Sequence, residues 1–194
     1  MNLLRTLRLT LAAALLSAVM PACTDPGQSG GGRSPRPEGG DFVLPSTVGM
    51  LDTTTLRGKV LLIYFGYVNC PDVCPVSMAA GVAALNSLTA NEREHVRMIM
   101  VSVDPERDTP ASLKNYVSYF HPALIGAVGT AEQTATIARS FGVGYLRQPT
   151  QPDGKYAVDH SALTYVVGRD GKLADTLPLG APTERVVGVV RGLL

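Results

Sequence analysis

This chain has no tryptophan, only three cysteines, only three histidines, and almost no net charge, +1 over 194 residues. Each shortage excludes something. Without a basic excess there is nothing to neutralise a phosphate backbone, which argues against a nucleic-acid binder. No block of like charges is present to serve as an interaction tail. The one markedly apolar run, residues 9–20, is shorter than the roughly 20 residues a typical transmembrane helix needs. Thiol and imidazole chemistry is confined to six side chains: Cys23, Cys70, Cys74, His95, His121 and His160. Against these shortages, 45% of the residues are hydrophobic, enough for a real core, and the length suits one domain.

The chain begins with "MNLLRTLR", which carries Arg5 and Arg8, followed by "LTLAAALLSAVM" and "PAC". A basic start, a short apolar run and a small residue before the cut describe a secretory signal peptide, residues 1–22. Cys23 stands after the small residue Ala22, where a bacterial lipoprotein signal places its lipidated cysteine. Met20 and Pro21 depart from the residues such a signal prefers. Lipidation of Cys23 leaves an exported domain with two cysteines, an even number suited to an oxidising compartment. Ordinary cleavage nearby is the other reading. The stretch "TDPGQSGGGRSPRPEGG", residues 24–40, is rich in Gly, Pro and Ser and cannot bury enough surface to offset its ordering. It reads as a flexible tether with a mean reach of about 20–25 Å. The expected organisation is a lipoprotein-type signal (1–22), a lipid anchor and linker (23–40) and a domain (41–194) on the outer face of a bacterial cytoplasmic membrane.

Within that domain, "KVLLIYFG" from Lys59 and "VRMIMVSVD" read as buried strands. "PVSMAAGVAALNSL" lies between them with helical spacing, and Pro75 suits a first turn. "TPASLKNYVSYF" is a helix with Thr109 as N-cap, and "AEQTATIARSFG" is another that Gly142 ends. "ALTYVVGRDGKLADTL" is a hairpin turning at Asp170-Gly171. "PTERVVGVVRGLL" is a closing helix with Thr183 as a cap. A parallel pair joined through a helix, then a hairpin and a last helix, predicts an α/β thioredoxin-like sandwich with a mixed central sheet flanked by helices. Ligand sites in such sheets gather at the carboxyl ends of parallel strands. Cys70 follows just such an end.

"GYVNCPDVCP" sets Cys70 and Cys74 four apart, about one helical turn. A helix N-terminus there stabilises a thiolate. The pair admits three readings: a structural crosslink, a redox pair, or part of a metal site. As a crosslink it contributes only about 2 kcal/mol, because the loop is so short. As metal ligands two thiolates select soft ions, and copper(I) accepts two thiolates and an imidazole. His95 sits in a polar connector and His121 follows a helix, where the dipole favours it. His160 precedes a strand expected beside "KVLLIYFG", so the fold brings it to the cysteine loop.

"YFGYVNCPDVCP", "VSVDPERDTP", "YFHPALIGAVGT" and "VDHSALTYVVGRDGKL" together resemble the Sco/SenC family, from about Asp41 to Leu194. Val68 stands where that family often has a hydroxyl residue. The resemblance implies a membrane-tethered thioredoxin-like copper protein, not an enzyme, that assists assembly of the binuclear copper centre of cytochrome c oxidase. It implies copper, as Cu(I) or Cu(II), held by Cys70, Cys74 and His160. Its partners would be the copper-binding subunit of the oxidase or another copper chaperone. A thiol–disulfide reductase that keeps the acceptor's cysteines reduced is the alternative, with Cys70 and Cys74 as the redox pair. Asp72, between the cysteines, is placed either to give copper(II) an oxygen or to tune the thiols. Asp104, Arg107 and Asp108 of "DPERDTP" are read as shaping their loop.

Overall fold

The computed structural model describes residues 37–194. The signal segment, Cys23 and the tether up to residue 36 lie outside the described residues. Strand β3 (Val60–Gly66) is buried along its whole length, which is why it reads as a continuous apolar run rather than an alternation. It pairs in parallel with β4 (Val96–Ser102), from Val60 opposite Val96 to Gly66 opposite Ser102. Helix α1 (Val73–Asn86) is the crossover between them. On the other side of β3, strand β8 (Leu163–Val167) runs antiparallel, with Tyr64 opposite Thr164, and β9 (Leu173–Pro178) follows it through the expected tight turn.

Four short elements complete the sheet and its connections. Strands β1 (Val43–Ser46) and β2 (Gly49–Asp52) form a hairpin at one edge. Strand β5 (Ile125–Ala127) joins that hairpin to β4, giving the seven-stranded order β2-β1-β5-β4-β3-β8-β9. Helix α2 (Ala90–Glu94) is a single turn with a capping box between Thr89 and Glu92. The residues facing one another across β3, β4 and β5 divide the helices. Tyr64, Met100 and Gly126 share one face. Gly126 meets Leu113 of α3 (Pro110–Phe120) on that face. Leu62 lies there too, against α1 and α5 (Thr183–Leu193). Phe65 points the other way, stacking at 5.5 Å on Phe141 of α4 (Ala131–Phe141). The result is a mixed sheet with helices on both faces.

The caps follow the sequence in most places. Thr109 accepts from the Ser112 N–H, with Pro110 at the first position of α3. Gly142 closes α4 in the left-handed conformation at φ 67°. Thr183 is the exception: it is the first helical residue of α5, not its cap. The chain turns one residue earlier, at Pro182, whose carbonyl accepts from Arg185 and Val186. The domain also draws in the end of the tether, because Gly39 donates to Ser140 and Glu38 accepts from Leu173. Among the described residues, no helix is long and apolar enough to cross a membrane.

Strands β6 (Tyr145–Arg147) and β7 (Val158–His160) stand apart as a two-stranded ribbon, hydrogen-bonded to no strand of the main sheet. The ribbon delivers His160.

Candidate metal centre

Beyond Gly66 the chain leaves the sheet through Tyr67 and turns back at Cys70, whose N–H donates to the Tyr67 carbonyl. Helix α1 begins at Val73, so Cys70 sits in the loop and Cys74 in the first turn. The sheet makes room for Cys74 by having no side chain at position 66. A Cβ there would lie 2.7 Å from Cys74 Sγ and 2.8 Å from the Tyr64 ring. That role of Gly66 was not readable in the sequence, since it needs the path of α1 over the strand end.

From the other side, His160 Nε2 lies 3.4 Å from Cys74 Sγ and 3.8 Å from Cys70 Sγ. Tyr64 and Tyr67 stand perpendicular to the imidazole at centroid distances of 5.9 and 5.8 Å and fix its plane. Nδ1 lies 3.2 Å from the Ser161 carbonyl. A carbonyl only accepts, so Nδ1 carries the proton in neutral His160, and the Nε2 lone pair faces the sulfurs. All three ligand atoms lie within 4.8 Å of one another, and both cysteines are free thiols.

The two thiols differ. Cys74 is fully buried, whereas Cys70 keeps a sliver of surface, 9%. A hydrogen bond from Cys74, with others from the backbone N–H groups of Asp72 and Cys74, holds the Cys70 thiol far below its ordinary range despite its burial. Cys74 is pushed up by donating its S–H in a hydrogen bond to Cys70 and by desolvation. The helix N-terminus therefore serves the loop cysteine, not the one inside the helix. The pair titrates as a unit, with the first proton lost at Cys70.

The other candidates fall outside this cluster. His95 is exposed at the end of α2. His121 caps α3, and its Nδ1 accepts the Ala123 N–H. Among the described residues the carboxylate of Asp72 is not part of the cluster; Asp72 is exposed and precedes α1 without capping it. Asp104, Arg107 and Asp108 do shape their loop: the Asp104 carbonyl accepts from Arg107 and Asp108, and Asp108 accepts from Ser102 at 2.6 Å. Asp108 also reaches into the cysteine loop, accepting the Val68 N–H at 3.1 Å. Cys23 lies outside the described residues.

Two sulfurs and one imidazole nitrogen, largely screened from water, form a donor set for a soft thiophilic ion such as copper(I). Set at the end of a mixed sheet with helices on both faces, this cluster defines a thioredoxin-like domain with a dithiol–imidazole centre. The chain belongs to the SCO1/SenC family, whose sequence profile matches residues 31–194. It is 38% identical to the bovine protein SCO2 homolog, mitochondrial, over 154 residues, which cover 78% of this chain but 58% of that protein. The copper-bound structure of ScoI from Bradyrhizobium japonicum is similar with a TM-score of 0.74 and 38% identity, covering 80% of this chain and 99% of that one. The apo Sco1 protein from Thermus thermophilus has a TM-score of 0.73 and 37% identity, covering 84% and 94%.

Proposed function

We propose that the protein is a copper metallochaperone that assists assembly of the binuclear copper centre of cytochrome c oxidase, carrying copper as cargo on Cys70, Cys74 and His160. The observation that carries this reading is the convergence of two free thiols and one oriented imidazole within 4.8 Å. Support comes from the copper-bound Bradyrhizobium japonicum ScoI, to which the whole folded domain is similar. A pure reductase has no need of an imidazole whose free lone pair points between its sulfurs.

A second reading rests on a different observation. The depressed pKa of Cys70 makes it a ready attacking thiolate, with Cys74 beside it as the resolving thiol. In this reading the protein reduces the acceptor's copper-binding cysteines, and the balance is one disulfide gained here for one lost there. The two roles are compatible, because copper delivery requires reduced thiols on both partners. The proposed location is the outer face of the cytoplasmic membrane, with Cys23 as the lipidated anchor.

Oxidase assembly in cells at limiting copper separates the readings. If copper transfer is the function, His160→Ala and Cys70→Ser both lower oxidase activity. Normal assembly with His160→Ala but not with Cys70→Ser would assign the function to thiol reduction.

A further inference from the structure

His160 and the thiols come to the site from two pieces of structure that share no sheet. The thiols belong to the β3–α1 loop. The imidazole belongs to the β6–β7 ribbon, which pairs only with itself. Some contact must therefore set the height of the ribbon against the loop, and two of the side chains that do so, Asp104 and Arg107, come from the segment after β4.

Arg107 holds the ribbon. Its guanidinium lies 3.6 Å from the ring centroid of Tyr156, two residues before β7, and Nη1 donates to the Tyr156 carbonyl at 2.9 Å. Arg147, in β6, covers the same ring at 3.9 Å, so Tyr156 is clasped between two guanidinium groups. Asp104, only 3% exposed, anchors the clasp by pairing with Arg107 Nε and accepting the Tyr156 hydroxyl at 2.8 Å. Tyr67 then ties the two pieces directly: its hydroxyl accepts the Val158 N–H at 3.2 Å, and Arg107 lies 5.5 Å from its ring. Two residues past Val158 is His160. The flat guanidinium is what lets one side chain stack on a ring, pair with a carboxylate and bond a carbonyl together.

We propose that Arg107, braced by Asp104 and acting through Tyr156, is a positioning residue that sets His160 against the two thiols. Arg107 touches neither sulfur nor imidazole. Its effect on the site passes through β7. This inference rests on the copper reading above, and its test is arranged to fail separately from that reading.

The test is a double-mutant cycle on the purified, reduced protein, with Arg107→Ala and His160→Ala alone and combined. Copper affinity is read by competition with a chelator of known strength. The imidazole nitrogen signals of His160 are read by NMR in the metal-free protein. Arg107→Ala is expected to weaken copper binding by about 10–100-fold, the usual effect of losing a group that orients a ligand. It is expected to shift the His160 signals and to add nothing when His160 is already alanine. An equal loss in both backgrounds, or unchanged affinity and unchanged signals, would overturn the proposal. If wild type and His160→Ala bind copper equally, the copper reading fails instead, and the His160 signals still decide the role of Arg107. Should Arg107→Ala not fold, Tyr156→Ala, at the half-buried end of the same contact, carries the same expectations.

Discussion

Gly66 and Cys74 face each other so closely that the hydrogen on Gly66 stands where no methyl group fits. A Cβ at Gly66 would come within 2.7 Å of the Cys74 sulfur. The backbone of Gly66 is ordinary strand, so the need for glycine is one of space alone. Gly66→Ala should push Cys74 away from His160. Overpacking of this kind costs typically about 1–3 kcal/mol, to be read from denaturant unfolding of the reduced protein. Copper affinity should fall as well. Unchanged stability and affinity would show that α1 yields without cost.

The asymmetry of the thiols gives a pH signature. An ordinary thiol near pKa 8.5 loses roughly two orders of magnitude of thiolate between pH 8 and pH 6. Cys70 is held far lower by the hydrogen bonds from Cys74 and from the backbone N–H groups of Asp72 and Cys74, so it remains thiolate across that window. Alkylation of the reduced protein, mapped by mass spectrometry, should modify Cys70 first, at a rate nearly flat from pH 8 to pH 6. Cys74→Ala, which removes the donated hydrogen bond, should restore a pH-dependent rate. A wild-type rate that falls with pH like a free thiol's would contradict the assigned hydrogen bonds.

Anchoring is tested at Cys23. Cys23→Ala should release the exported protein from the membrane fraction while its unfolding transition stays in place. One acyl chain binds a bilayer only marginally, so mass spectrometry should find two or more chains on Cys23. Retention of the cleaved Cys23→Ala protein on the membrane would contradict lipidation as the anchor.

The long elements were legible in the sequence because each carries its own signal. The uninterrupted apolar run of β3, the caps Thr109 and Gly142 and the Asp170-Gly171 turn are local facts, and together they imply the mixed sheet. What escaped is what only tertiary contact creates. Strands β5, β6 and β7 are three residues each and exist because a neighbour supplies hydrogen bonds. The α2 turn passed for a connector because its capping box spans so few residues. Thr183 looked like a cap, but Pro182, fixed in φ, already turns the chain. At the site, Cys70, Cys74 and His160 were readable as residue types suited to one ion. Gly66 and the contact from Arg107 to Tyr156, 49 residues apart, were not, since neither pairing leaves a pattern in the chain.

The most direct measurement is a copper titration of the protein in two redox states, reduced and with Cys70 and Cys74 joined by a disulfide. A disulfide removes both thiolates at once and leaves His160 alone, and ligands must be deprotonated and free to bind. The reduced protein should take up one copper ion per chain and hold it against a competing chelator, and the oxidised protein should bind far less. Equal copper retention in the two states would contradict the assignment of Cys70, Cys74 and His160 as the copper site.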